Sequence, residues 1–233
     1  GGNLPVSVGT AFESASLSAL FEDVVLAPNG GSSDAATAFP APSNLVATLQ
    51  SNAGGIGVLP RSQALGSGLK MIDIRDTCGL LSRPTDFDIK NGGYVLSQDV
   101  YSYSLPQFAS SELTDFANWI AGPDANAAIE DLNLVNSMPG RMSLQDMGLS
   151  LIHTAAVEND FSGAQFVQVV RALRNAERSS ATFRFEEGSA TLDQDSRLAI
   201  NEMAQQIRAG VFDGFEVLLV GFSDSSGDAE ANT

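Results

Sequence analysis

The chain has 233 residues, 43% of them hydrophobic, enough for one large domain or two smaller ones with cores of their own. A formal charge of −16 argues against a nucleic-acid partner, because neutralising phosphates takes clustered Lys and Arg. No apolar run approaches the ~18–20 residues of a bilayer span, and one Cys and one His exclude an internal disulfide and zinc sites built on those residues.

The opening Gly1-Gly2-Asn3 carries no basic, apolar leader, and the chain is expected to be incomplete at both ends. In "VSVGTAFESASLSALFEDVVL", Thr10 and Glu13 have capping-box spacing, and Phe12, Leu17, Leu20, Phe21, Val24 and Val25 supply an apolar helical face. Residues 27–43, rich in Gly, Ser, Ala and Pro, read as an exposed loop. "SNLVATLQSN" is a short helix with Ser43 as its N-cap, and "GGIGVLP" and "LKMIDIR" are strand-like. "FDIKNGGYVLSQDVYSYSLP" offers two strands around Asn91-Gly92-Gly93.

Further on, Ser111–Ile120 and Asp124–Leu132 read as helices separated by Gly122-Pro123. "SLQDMGLSLIHTAAVEND" and "SGAQFVQVVRALRNAER" read as two more, the second with Phe166, Val169, Val170 and Leu173 on one face and Arg171, Arg174 and Arg178 on the solvated one. Thr182–Phe185 alternate like a strand, and Asp193 opens a helix with Ile200, Met203, Ala204 and Ile207 on one face and Gly210 just past its end. "FEVLLVGFSD" is a strand leading into a turn. Strands and helices alternate throughout, which predicts an α/β class.

The order from Thr182 onward resembles the OmpA-like peptidoglycan-binding domain. A Phe-rich strand, Gly-Ser, Leu-Asp, a helix and an apolar strand lead to the Gly-x-x-Asp-x-x-Gly turn Gly221-Phe222-Ser223-Asp224-Ser225-Ser226-Gly227. The resemblance implies that Asp224 binds the charged end of the diaminopimelate stem peptide, with Asn232 at the family's Asn position. The family's Arg partner would follow Thr233, so the domain is expected to be truncated here. A zwitterionic ligand needs one fixed anion and one fixed cation for charge-assisted hydrogen bonds. The alternative for Asp224 is an ordinary turn residue.

Residues 6–135 resemble the second half of a type II periplasmic solute-binding protein of the phosphate-binding kind. The likeness rests on "SVGTAFES", "NAGGIGVLP" and "FDIKNGGYVLSQDVYSYSLP" followed by "SELTDFANWIAG". It implies that Ser7, Gly9 and Thr10 hold phosphate or another small oxyanion through hydroxyls and backbone N–H groups at a helix start. Val8 interrupts the family's Ser-Gly-Thr, and Val95 and Gln98 replace its Pro and Arg. Simple capping by Thr10 and Glu13 stands beside ligand contact as a reading.

Together these readings predict an α/β protein in three parts. A partial binding-protein-like module spans 1–137, a helical connector 138–180 and a truncated OmpA-like α+β domain 181–233. The implied protein is non-enzymatic, needs no cofactor, and sits in the periplasm of a Gram-negative envelope, tethered to peptidoglycan. A degenerate module acting as an interaction scaffold is the alternative. Among other chemistry, His153 lies among apolar residues in "LSLIHTAAV" and reads as a core or boundary histidine, and Cys78 as a buried thiol. Asp86 with Asp88, and Glu186 with Glu187, read as surface carboxylates rather than acid–base pairs.

Overall fold

The computed structural model describes residues 7–11, 15–32, 34, 36–75, 81–120, 122–143, 145–148, 163–186 and 189–220. It is mixed α/β, in two compact units, Gly1–Thr182 and Phe183–Thr233.

Small residues set the geometry of the first unit. Strand β1 (Ser7–Ala11) lies between β2 (Thr37–Phe39) and β3 (Gly55–Val58) in a parallel sheet. Gly9 is level with Thr37 on one side and Gly57 on the other. Since side chains alternate, Ser7, Gly9 and Ala11 share a face with Thr37, Phe39, Gly55 and Gly57. Helix α2 (Pro42–Ser51) lies on that face. A methyl on Gly9 would stand 2.5 Å from Leu45 Cδ1, and one on Gly55 or Gly57 2.8 Å from a Leu49 methyl. Three glycines therefore let the helix approach, and Leu45 is 1% exposed. Helix α1 (Ala15–Phe21) also packs against β1 and β3. It runs on through a π-turn (Glu22–Leu26) and a 3-10 turn (Ala27–Asn29), closed by Gly30 at φ 68°.

Three expectations change here. Thr10 is in β1, not at a helix start, so it does not cap a helix. The loop expected over 27–43 contains β2, whose three residues are too few to show a period. Helix α2 begins on Pro42 with Ala41 as N-cap, not Ser43, because the fixed φ of proline suits the first helical position.

The chain continues through α3 (Arg61–Ala64), an antiparallel pair β4 (Ile74–Arg75) and β5 (Leu81–Ser82), and α4 (Asp86–Lys90). Helices α5 (Ser111–Ile120) and α6 (Pro123–Asp131) pack on each other, with Gly122 as the α6 N-cap and Pro123 at its first position. Strand β6 (Arg141–Ser143) then pairs antiparallel with β7 (Glu177–Ser179), and α7 (Gly163–Leu173) lies between them in sequence.

The first of the two strands expected around Asn91-Gly92-Gly93 is instead α4, followed by a turn. Thr85 caps α4, its hydroxyl accepting the Asp88 N–H at 3.1 Å and donating to the Asp88 carboxylate at 2.8 Å. Asn91 Oδ1 accepts the Gly93 N–H at 2.7 Å, and Ser82 Oγ donates to Gly93 O and accepts from the Val95 N–H. The connector is likewise not all helical, since it holds the β6–β7 ladder. Arg178 is in β7 rather than on a helix face, and its guanidinium carbon lies 5.7 Å from the Phe87 ring centre.

In the second unit, Phe185 and Leu192 form an antiparallel bridge that leads into α8 (Gln194–Arg208). Asp193 accepts the Ser196 N–H at 2.7 Å, and the buried Ser196 hydroxyl accepts the Arg184 N–H at 2.6 Å. The helix ends in a Schellman motif: Val211 N–H reaches Gln206 O, Gly210 N–H reaches Ile207 O, and Gly210 has φ 76°. Phe215–Val220, expected as a strand, is not in a ladder among the described residues.

Gly9→Ala is expected to lower the unfolding free energy by about 1–3 kcal/mol. Leu45→Ala should lower it by about 2–5 kcal/mol in urea denaturation, and losses below about 0.5 kcal/mol would contradict the packing argument. The Ser196 hydroxyl and N–H hold the Asp193 carboxyl below its ordinary value of 3.8. Its stabilisation is therefore present above that value and lost as pH falls through the depressed one. Asp193→Asn keeps a capping oxygen, so it should remove this part of the acid-induced loss of helical circular dichroism.

Candidate functional site

The residues expected to hold an oxyanion are not gathered at one point. Ser7 is at the amino end of β1, Thr10 is near its carboxyl end, and Thr10 faces away from Ser7 and Gly9. Ser7 Oγ already accepts from Asn52 Nδ2 at 2.8 Å, and the same amide's oxygen accepts the Gly54 N–H. The Gly9 face is filled by Leu45 and Phe39. A cleft of about 240 Å³ between α2 and the sheet is lined by Ser7, Gly9, Thr37, Thr48 and Asn52 together with apolar side chains. No cation lines it, and it is smaller than the ~300–1,000 Å³ of ordinary ligand pockets.

Open parallel sheets bind ligands beyond the carboxyl ends of their strands, where the strand order reverses. Here that place is the end of β1 and β3, since the order is β2-β1-β3. Beyond β3 stands Arg61, the first residue of α3, the center of a polar cluster absent from the sequence reading. Its guanidinium pairs with Asp86, in the first turn of α4, and donates to Asn133 O at 3.2 Å. Asn133 takes φ 57° in the Schellman turn that closes α6, which turns its carbonyl out of the helix. One helical turn after Asp86, Lys90 Nζ donates to Asn136 Oδ1 at 2.6 Å and to Met138 O at 2.8 Å. Asn136 Nδ2 in turn donates to Glu130 Oε1 at 2.6 Å.

The cluster balances its own charge. Two carboxylates, Asp86 and Glu130, lie near Lys90, and Asp86 also pairs with Arg61. Burial nevertheless pushes the Lys90 ammonium below its ordinary pKa, against the pull of Asp86 and then Glu130. Such a set of groups staples α3, α4, α6 and the segment before β6 together; it leaves little field for an incoming anion. A signal existed in sequence, because Asp86 and Lys90 have i,i+4 spacing, but Arg61 and Asn136 join them only through tertiary structure.

Of the carboxylates read as pairs, Asp86, Asp88 and Glu186 are among the described residues and Glu187 is not, and Asp86 is held by Arg61. The Asp88 carboxylate accepts from the Thr85 hydroxyl that caps α4, and Glu186 lies 3.7 Å from Arg197. Asp224, Asn232, Cys78 and His153 lie outside the described residues. Among the described residues no group of three or more His, Cys, Asp or Glu is placed to hold a metal. No helix among them is long and apolar enough to cross a membrane. Comparison with known family models, curated proteins and solved structures finds no match to this chain.

Lys90→Met removes the donors to Asn136 and Met138 and should cost about 1 kcal/mol near neutral pH. A depressed lysine pKa means that the unfolded state binds more protons between that value and the ordinary 10.5. Wild-type stability should therefore rise relative to Lys90→Met as pH increases through this window. Parallel urea curves across the range would contradict the burial of Lys90.

Proposed function

We propose that this is a non-enzymatic protein of a Gram-negative envelope whose first unit is a structural and protein-interaction scaffold. Its second unit would bind the diaminopimelate stem peptide of peptidoglycan through Asp224 and Asn232. The scaffold reading rests on one observation: the face carrying Gly9 is occupied by Leu45, and Ser7 is already paired with Asn52. An oxyanion would have to displace a fully buried leucine to reach the Gly9 backbone. The Asp193-capped helix and its Gly210 stop support the OmpA-like reading of the second unit.

A phosphate receptor is the second reading, and the β2-β1-β3 strand order favours it, because ligands gather at such reversals. Thermal denaturation of the full-length protein with inorganic phosphate separates the two. A receptor at hundredfold excess over its Kd gains about 2.7 kcal/mol; the scaffold gains nothing. For the tether, the full-length protein should co-sediment with purified peptidoglycan, and Asp224→Ala should abolish this. Unchanged co-sedimentation of the variant would sink the Asp224 assignment.

A further inference from the structure

Helix α5 carries its apolar side chains on one stripe with none of its residues buried. Leu113, Phe116 and Ile120 follow i, i+3 and i+7 spacing, and they are 42%, 49% and 39% exposed. Trp119, 50% exposed, stacks on Phe116 with ring centres 6.0 Å apart. Isolated exposed apolar residues are ordinary, but an aromatic stripe along one helix is the form of a docking face.

The surrounding charge identifies what suits it. Between Lys90 and Arg141 the sequence has no Lys or Arg, while Asp99, Glu112, Asp115, Asp124, Glu130 and Asp131 are all acidic. The Glu112 carboxyl is held below the usual range by its own backbone N–H and then by the Ser110 and Ser111 hydroxyls. A second copy would bring another −16 charge, and a nucleic acid or an anionic bilayer has the same sign. A basic amphipathic helix has both the complementary charge and apolar residues at the spacing to meet the stripe.

The geometry points to the α5 face, built on Leu113, Phe116, Trp119 and Ile120 within an acidic stretch, as the docking surface for a basic amphipathic helix of a partner protein. This deepens the scaffold reading and rests on it, by naming the kind of partner the scaffold receives. Apolar contact supplies the affinity, and Glu112 and Asp115 select for positive charge and speed encounter. Because the rim is exposed, its contribution falls as salt screens it.

Trp119 is the chain's single tryptophan, so its emission reports on this face and on no other. The full-length protein is titrated with a synthetic amphipathic helix of Leu and Lys, and separately with its Leu and Glu counterpart. The Leu–Lys peptide is expected to shift Trp119 emission to the blue in a saturable manner, and more weakly in high salt. Glu112→Gln with Asp115→Asn should weaken this binding roughly fivefold to tenfold, whereas Asp195→Asn on α8 should not change it. Leu113→Ser should abolish the shift with helical circular dichroism intact; if that variant fails to fold, the two charge variants carry the test.

No shift, or an equal shift with the Leu–Glu peptide, would overturn the proposal. So would a shift on concentrating the protein alone, which would seat a second copy there, or a shift with anionic vesicles. Phosphate stabilisation would sink the scaffold reading and leave the Trp119 titration unexplained by it. A silent Trp119 beside an unchanged phosphate result would remove only the docking face.

Discussion

The approach of α2 to the β1–β3 pair fixes the geometry of the first unit, and it is possible only because Gly9, Gly55 and Gly57 lack side chains. Leu45 and Leu49 occupy the space that those side chains would have filled. Close packing of this kind is intolerant of added volume, so the glycines and the leucines act as one set. The same contact has a functional consequence. A glycine at the center of a strand is a place where a ligand or another part of the protein comes close, and here the close neighbour is the protein's own helix.

A second center lies around Phe87 and the Arg61–Asp86–Lys90 cluster, where side chains rather than backbone hold the elements together. Lys90 ties α4 to Asn136 and Met138, Arg61 ties α3 to α4 and to the end of α6, and Arg178 lies over Phe87. Of these groups Asn136 is buried, Arg61 and Lys90 are half-buried and Asp86 and Glu130 are exposed, so their bonds specify which elements meet more than they stabilise. By contrast, α5 has no buried residue, so its place in the unit depends on few apolar contacts. Segments with few such contacts are the ones that open or rearrange most readily on meeting a partner.

How far the sequence reached depended on length and on locality. Helices α5, α6, α7 and α8 are legible because their periods and caps are local: Pro123 after Gly122, Asp193 before Gln194, Gly210 after Arg208. β3 is legible from its run of Gly, Ile and Val. β1 and β2 are not, because strands of only five and three residues gain their identity from pairing across the sheet. "FDIKNGGYVL" misleads for a related reason. Its Asn-Gly-Gly is a hairpin signal, yet the Thr85–Asp88 cap forms first in sequence and turns the preceding residues into α4. At the site, the family resemblance placed Ser7, Gly9 and Thr10 together at a helix start, and strand alternation separates them onto two faces.

The most direct test of the account is backbone hydrogen exchange across β1, with and without phosphate. If β1 is the center of a sheet sealed by α2, the amides of Val8 to Ala11 should exchange only with global unfolding. They should be slower than those of α5, and phosphate should leave them unchanged. Phosphate-dependent protection at Gly9 or Thr10, or β1 amides exchanging as fast as those of α5, would contradict it.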